Sequence, residues 1–259
     1  MDESNTKGLA EPRRAKVLSL LKKSRVLRVD ELVYELGVSA ATVRRDLAVL
    51  EGYGELRRIH GGAAVADGYD EEPLFDDKTA FAAEEKRRIA QTAVKLIHPK
   101  AVIYLDGGST LLELARLLLS FSKLTIVTNS LRIAEIFKHS GPKMIITGGE
   151  CRLISQTFVG PLTRGVLDQM NFDIAFMGTI GVSVDKGMTT TDPAEAFTKE
   201  QVIKSATKTV LLADSSKFSR TSFVKFGTVD QLAITISDRN MPLKTKKAFK
   251  KQGCELMLA

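Results

Sequence analysis

Cysteine is nearly absent from this chain. Its 259 residues include two, Cys151 and Cys254, which fit neither a metal-ligand spacing nor a disulfide framework. The expectation is a pair of free thiols in a reducing cytosol, with no metal site and no cofactor. Long apolar runs are also missing. None approaches the ~18–20 residues a helix needs to span a bilayer, so no membrane partner is expected. The opening residues Met1-Asp2-Glu3-Ser4-Asn5 are polar and partly acidic, unlike a secretion signal. No internal repeat or low-complexity segment is visible.

What the chain has is length, enough for more than one domain, and a net charge of +7. The excess is unevenly spread. Residues 1–65 carry 12 Lys/Arg against 9 Asp/Glu, residues 66–80 carry six acids and one lysine, and residues 81–259 carry 25 bases against 16 acids. Much of the surplus therefore lies outside the region read below as a DNA reader. Part of it is the tail run Lys244, Lys246, Lys247, Lys250 and Lys251, whose default is a solvated helix face. Charge alone does not establish nucleic-acid binding.

The stretch from Asp30 to Leu47 does point there. Leu32, Val33 and Leu36 recur at helical spacing behind Asp30, a residue able to cap a helix, and Gly37 follows where a left-handed residue ends one. Ser39 caps the next helix, whose inward stripe is Val43, Leu47 and Leu50. Ala40, Ala41, Arg44, Arg45 and Ala48 are left facing outward. Small residues at a helix start, with arginines one turn later, suit entry into a DNA major groove. Ser39, Ala40, Ala41, Thr42, Arg44 and Arg45 are the candidate contacts. A further helix from Pro12 to Lys23 buries Val17, Leu20 and Leu21. Downstream, Leu56-Arg57-Arg58-Ile59-His60 and Ala63-Ala64-Val65 flank Gly61-Gly62, a hairpin signal. Arg57, Arg58 and His60 on such a wing can reach phosphates or the minor groove. Residues 30–65 closely resemble the DNA-binding domain of the DeoR family of bacterial repressors, through Val38-Ser39, Thr42-Val43-Arg44-Arg45-Asp46-Leu47, Leu50 and Arg57-Arg58-Ile59-His60-Gly61-Gly62-Ala63.

Asp67 to Thr79 is acidic, holds Gly68 and Pro73, and shows no period, so 66–83 is expected to be a linker. From 84 on, strand-like runs (101–105, 124–128, 143–147, 173–177, 209–213, 232–237, 255–258) alternate with helical patterns (84–97, 111–119, 131–139, 193–206, 243–252). That order predicts a mostly parallel sheet in an α/β domain over 84–259. The fold class is thus a winged helix-turn-helix domain (1–65) followed by a mostly parallel α/β effector domain. Ligands of such sheets bind at the carboxyl ends of the strands. Those ends offer Asp106 with Gly108, Ser109 and Thr110; Asn129 with Ser130; Gly149; Gly178; and Asp214-Ser215-Ser216-Lys217. Gly108-Ser109-Thr110 opens a helix directly after a buried strand, where free N–H groups attract an anion. No lysine sits where a nucleotide-binding P-loop requires one.

This second region also resembles the DeoR effector domain, through Glu85-Lys86-Arg87, Asp106 with Gly108-Ser109-Thr110, Thr128-Asn129-Ser130, Gly148-Gly149, Gly178, Gly187 with Thr189-Thr190, Glu195-Ala196 with Lys199, and Leu212 to Phe218. The resemblance implies a fold similar to ribose-5-phosphate isomerase and a repressor of a sugar-catabolic operon that responds to a phosphorylated sugar. Its implied partners are double-stranded operator DNA, the phosphosugar and further copies of itself, and Glu195, Lys199 and Lys217 join the effector-site candidates. Two departures, Lys78 for the usual arginine and Met188 for leucine, are expected to lie away from the site. The competing enzyme reading, a sugar-phosphate isomerase with a fused DNA-binding domain, would draw acid/base groups from Asp106, Asp173, Glu195, Lys199 and Glu200.

Overall fold

The computed structural model describes residues 10–24, 26–52, 55–59, 61–65, 75–139 and 141–259. His60 and residues 66–74 of the expected linker lie outside them. The chain divides into two compact units, Met1–Asp70 and Glu71–Ala259. Among the described residues no helix is long and apolar enough to cross a membrane.

The first unit runs α1 (Ala10–Ser24), β1 (Val26–Arg28), α2 (Val29–Leu36), α3 (Ala40–Gly52), β2 (Leu56–Ile59) and β3 (Gly62–Val65). Val17, Leu21, Leu32, Val43, Leu47, Leu50 and Leu56 close one small core, so the expected helical stripes do meet. Gly37 adopts φ 65° and ends α2 with its N–H on the Val33 carbonyl. Asp30 is not the cap of that helix. β1, which the sequence reading missed, delivers the chain at Arg28, whose backbone N–H donates to Glu31 Oε2 at 2.7 Å. Asp30 sits in the first turn instead, where its charge still opposes the helix dipole favourably.

The hairpin also differs in register. Ile59 pairs with Gly62, so Gly62 belongs to a strand and not to the turn. Its missing side chain is required there: β1 lies along β3, and a Cβ on Gly62 would fall 2.2 Å from the Leu27 carbonyl oxygen.

The second unit opens with α4 (Phe75–Ala80) and α5 (Ala83–Val94). The expected linker is thus helical at its end, and Phe75 is buried in the second unit's core. Six residues are too few to show a period, which is why the sequence reads as loop. There follow β4 (Val102–Leu105), α6 (Ser109–Leu117), β5 (Thr125–Thr128), α7 (Leu131–Phe137), β6 (Lys143–Ile146), a hairpin of β7 (Glu150–Arg152) and β8 (Thr157–Val159), and α8 (Arg164–Leu167). Then come β9 (Phe172–Met177), β10 (Gly181–Ser183), β11 (Gly187–Thr190), α9 (Pro193–Lys204), β12 (Ala206–Leu212), β13 (Val224–Gly227), β14 (Ile234–Ser237), α10 (Leu243–Lys251) and β15 (Glu255–Leu258).

Seven strands form one sheet in the order β15-β14-β12-β9-β4-β5-β6, and every neighbouring pair is parallel. Alternate side chains feed two cores. Ile103, Leu105, Phe176 and Leu212 pack with α5, α6 and α7 on one face. Tyr104, Ala175, Met177 and Leu211 pack with residues of α9 and with Phe249 on the other. From β4 the chain winds outward through β5 and β6, then returns to β9 on the opposite side of β4. The direction of winding therefore reverses between β4 and β9, the place where open α/β sheets form a ligand crevice.

Candidate DNA-reading face and effector cleft

On the first unit, Ser39 caps α3 by accepting the Thr42 N–H at 3.3 Å. Ala41, Arg44, Arg45 and Ala48 are exposed and form the outward face of α3. Ala40 is half-buried against the unit's core and offers less surface than expected. Arg57 and Arg58 are adjacent in a strand and so project to opposite faces; Arg58 is exposed and Arg57 half-buried. One wing arginine, not two, stands out towards solvent beside α3. Its backbone N–H is fixed by Glu51 Oε1 at 3.1 Å.

Asp46 was not expected to matter beyond the motif. It is buried on the inner side of α3 and accepts from Arg13 Nε and, at 3.0 Å, from Arg14 Nε. Burial pushes its carboxyl pKa up, but the two guanidinium groups outweigh this and the pKa is lowered; the same contact raises Arg13. α3 is thus pinned to α1 through a charged anchor. The signal was present: Asp46 lies three residues after Val43 and four before Leu50, within the buried stripe.

On the second unit, an open cleft sits at the β4/β9 reversal. It is lined by Gly108, Ser109 and Thr110 at the start of α6, by Gly178 after β9, by Glu195 and Lys199 of α9, and by Asp214 and Lys217 after β12. β12, β9 and β4 are consecutive in the sheet, so the turns that follow them converge. The first-turn N–H groups of α6 have no intrahelical partner and open beside the cleft.

Lys78 and Lys86 also line it. Both were missed, and Lys78 corrects the expectation that this departure from the family pattern lies away from the site. Sequence spacing could not place them, because α4 and α5 reach the cleft only through the packing of Phe75 and Ile89 on the sheet. Lys86 is buried, and its Nζ donates to the carbonyls of Lys78 and, at 2.6 Å, of Phe81. Burial lowers its pKa to about 8, with Asp214 pulling upward and Lys217 and Lys78 pushing further down.

Asp106 stands behind the lining. Its Oδ2 accepts the Gly178 N–H at 2.9 Å and pairs with Lys199, tying α9 to the ends of β4 and β9. Lys199 lies 3.4 Å from Glu195 Oε1 as well. Burial pushes Lys199 down, yet the Asp106 and Glu195 carboxylates outweigh it and its pKa is raised. Asn129, Ser130 and Gly149 are not brought to the cleft. Ser130 caps α7 by accepting from Ile133 N at 3.3 Å, and Asn129 Nδ2 donates to the Phe158 carbonyl at 3.0 Å. Gly149, at φ 120°, packs against Thr163 and the Val159 carbonyl. They follow the outer strands β5 and β6, where the β7–β8 hairpin occupies the rim.

Two of the acids weighed for catalysis are elsewhere. Asp173 accepts from Val102 N at 2.8 Å, at the amino end of β4, and Glu200 pairs with Lys204 at 2.7 Å on an exposed face. Met188 is buried in the core.

Comparison with known proteins bears on both units. Residues 13–68 match the DeoR-like helix-turn-helix domain and residues 82–239 the DeoR C terminal sensor domain. The chain is 34% identical to the HTH-type transcriptional regulator GlpR of Haloferax volcanii, over 95% of its own length and 96% of that protein's. It is 35% identical to the lactose phosphotransferase system repressor of Streptococcus mutans, over 93% and 96% of the two chains. Among solved structures, ribose 5-phosphate isomerase A from Methanocaldococcus jannaschii aligns with 52% of this chain and 54% of its own, at 21% identity and a TM-score of 0.40. Two matched domains in this order, and relatives aligned almost end to end, make the chain a member of the DeoR family of DNA-binding transcriptional regulators.

Proposed function

We propose that the protein represses a sugar-catabolic operon and leaves its operator when a phosphorylated sugar fills the cleft. The observation that carries this reading is the composition of the cleft. Lys78, Lys86 and Lys217 gather about the first turn of α6, which suits a phosphate held by backbone amides, a helix dipole and charged donors. The same cleft presents Glu195 and Asp214, and Asp214 Oδ2 is buried with no hydrogen-bond partner among the described residues. A bare anion would leave that oxygen unmet, whereas a ligand with hydroxyl groups supplies donors. In this reading residues 1–65 read DNA, 84–259 sense the sugar, and α4 belongs with the sensor. The functional form is a homo-oligomer, a dimer or higher, because paired reading heads match paired half-sites. It works in the cytoplasm, where the DNA is.

The isomerase reading fares worse. Asp106 is engaged by Gly178 and Lys199, and Asp173 and Glu200 are away from the cleft. The cleft is therefore proposed to hold its sugar without converting it. A thermal-shift screen of phosphosugars tests the sensor, since a ligand at ~100 times its dissociation constant stabilises the fold by ~2.7 kcal/mol. The hit is then added to the protein bound to a duplex selected from random sequence. Release of the duplex with the sugar recovered unchanged is expected. Isomerised sugar, or a duplex that stays bound at saturating ligand, overturns the reading.

A further inference from the structure

We infer that Arg152, outside the cleft, sets which sugar hydroxyls the cleft accepts, by fixing the position of Glu195. This rests on the phosphosugar reading above and goes beyond it. The β7–β8 hairpin sits across the carboxyl ends of β4 and β5. Phe158 N donates to the Asn129 carbonyl at 2.7 Å and Leu131 N to the Gln156 carbonyl at 3.0 Å. Gln156, in the left-handed region at φ 52°, is held further by Arg132 Nε at 2.7 Å. Thr157 packs so close that a Cβ on Gly107 would fall 2.1 Å from its methyl carbon. A hairpin so constrained is a rigid arm.

Arg152 extends from that arm to the start of α9. Its Nε lies 3.4 Å from Asp192 Oδ2 and its Nη1 3.7 Å from Glu195 Oε2, while Nη1 also donates to Ser155 Oγ at 3.2 Å. Asp192 caps α9 by accepting the Glu195 N–H at 2.9 Å. Glu195 therefore lies between two cations, Lys199 at 3.4 Å from Oε1 and Arg152 at 3.7 Å from Oε2, and its side chain is 8% exposed where it lines the cleft. A carboxylate accepts only, and its discrimination between hydroxyl patterns depends on being held in place, because a site built to bond one hydroxyl is left unpaired by an analogue lacking it. The planar guanidinium fork supplies directional contacts that a lysine cannot. Arg152 is not among the residues that line the cleft, whose cationic end is formed by Lys78, Lys86 and Lys217.

The test titrates the full-length protein calorimetrically with inorganic phosphate, glycerol 3-phosphate, ribose 5-phosphate and fructose 6-phosphate. The wild type should bind at least one phosphosugar ten times more tightly than inorganic phosphate. Arg152→Met should shrink that ratio at least fivefold and narrow the spread among the three sugars, with the inorganic phosphate affinity changed less than twofold. Arg152→Lys keeps the charge and loses the fork; it should show the same loss of discrimination, and it decides the matter if the methionine variant does not fold. An equal fall for phosphate and sugars would make Arg152 a general anion holder, and an unchanged ratio would leave it a structural strut; either overturns the inference. A wild type that binds none of the four overturns the phosphosugar reading itself.

Discussion

The two units of this protein place function in opposite ways. In the reading unit the candidate contacts are near neighbours in sequence, carried at the start of α3 and on one wing strand, and five of them are exposed: Ser39, Ala41, Arg44, Arg45 and Arg58. In the sensor the cleft is assembled from positions between Lys78 and Lys217, and Ser109, Thr110, Glu195 and Lys199 are buried. A reader must offer side chains to a surface larger than itself, so it needs only a small core to hold one helix rigid. A sensor must surround its ligand, so it draws on several strand ends at once. The cost of error differs accordingly: a change on the reader's face alters binding alone, whereas a change in the sensor disturbs packing too.

The largest effect expected from breaking this contrast is at the reader. Arg44→Ala with Arg45→Ala should weaken binding to the selected duplex about 100-fold or more, given ~1–3 kcal/mol for a base-reading arginine plus a lost phosphate contact. Fluorescence anisotropy at fixed salt measures it, and the phosphosugar affinity of the same variant should not move. Wild-type duplex affinity would show that α3 is not the reading element. Next in size, Ser109→Asp puts a like charge where the anion is proposed to sit, which costs several kcal/mol. Ligand affinity should fall about 50-fold or more while duplex binding persists; a normal response to the sugar would place the anion elsewhere.

Changes beneath the reading face should be smaller. Gly62→Ala drives a Cβ into the Leu27 carbonyl, and overpacking of that kind costs ~1–3 kcal/mol. Urea unfolding of the full-length protein, followed by amide signals of the reading unit, should show that loss there and not in the sensor. Acid sharpens the same point. Asp46 has a folded pKa below its unfolded value, so its contribution is present above about pH 4 and lost as pH falls through the folded value. The reading unit should therefore weaken on acidification in wild type more than in Asp46→Asn.

A subtler effect lies in the sensor. The Lys86 pKa of about 8 is below the unfolded ~10.4, so without ligand the folded chain holds fewer protons between those values and gains stability as pH rises through them. An anion beside Lys86 favours its charged form. Binding should then take up a proton near pH 8, and affinity should drop about tenfold between pH 7 and 9. Calorimetry in buffers of different ionisation heat reads the proton directly, and zero uptake at pH 8 would remove Lys86 from the anion site. Smallest of all, Lys247→Ala on the exposed face of α10 should change stability by less than about 0.5 kcal/mol and leave duplex and ligand binding intact.

Legibility followed the same division. Val43, Leu47 and Leu50 announced the buried side of α3 through their spacing alone, and the seven strands of the main sheet were readable because apolar runs alternate with amphipathic ones. Asp46 escaped notice because its partners, Arg13 and Arg14, come from another helix. The β7–β8 hairpin escaped because three-residue strands carry too little alternation to register. α4 was read as linker because six residues show no period, and its one decisive apolar contact, Phe75, appears only in the packed core.

By itself the sequence determined what local periodicity and turn chemistry encode: a helix-turn-helix with arginines outward, a parallel α/β domain, and a helix start after β4 suited to an anion. Tertiary structure alone decided which strand ends meet. The reversal of winding between β4 and β9 brought Gly108-Ser109-Thr110, Gly178, Asp214 and Lys217 to one cleft and left Asn129, Ser130 and Gly149 outside it. Packing of α4 and α5 brought Lys78 and Lys86 to the same place. Spacing along a chain fixes which way a side chain faces within its own element, but which distant elements share a rim is set by strand order and core packing, and those depend on the whole fold at once.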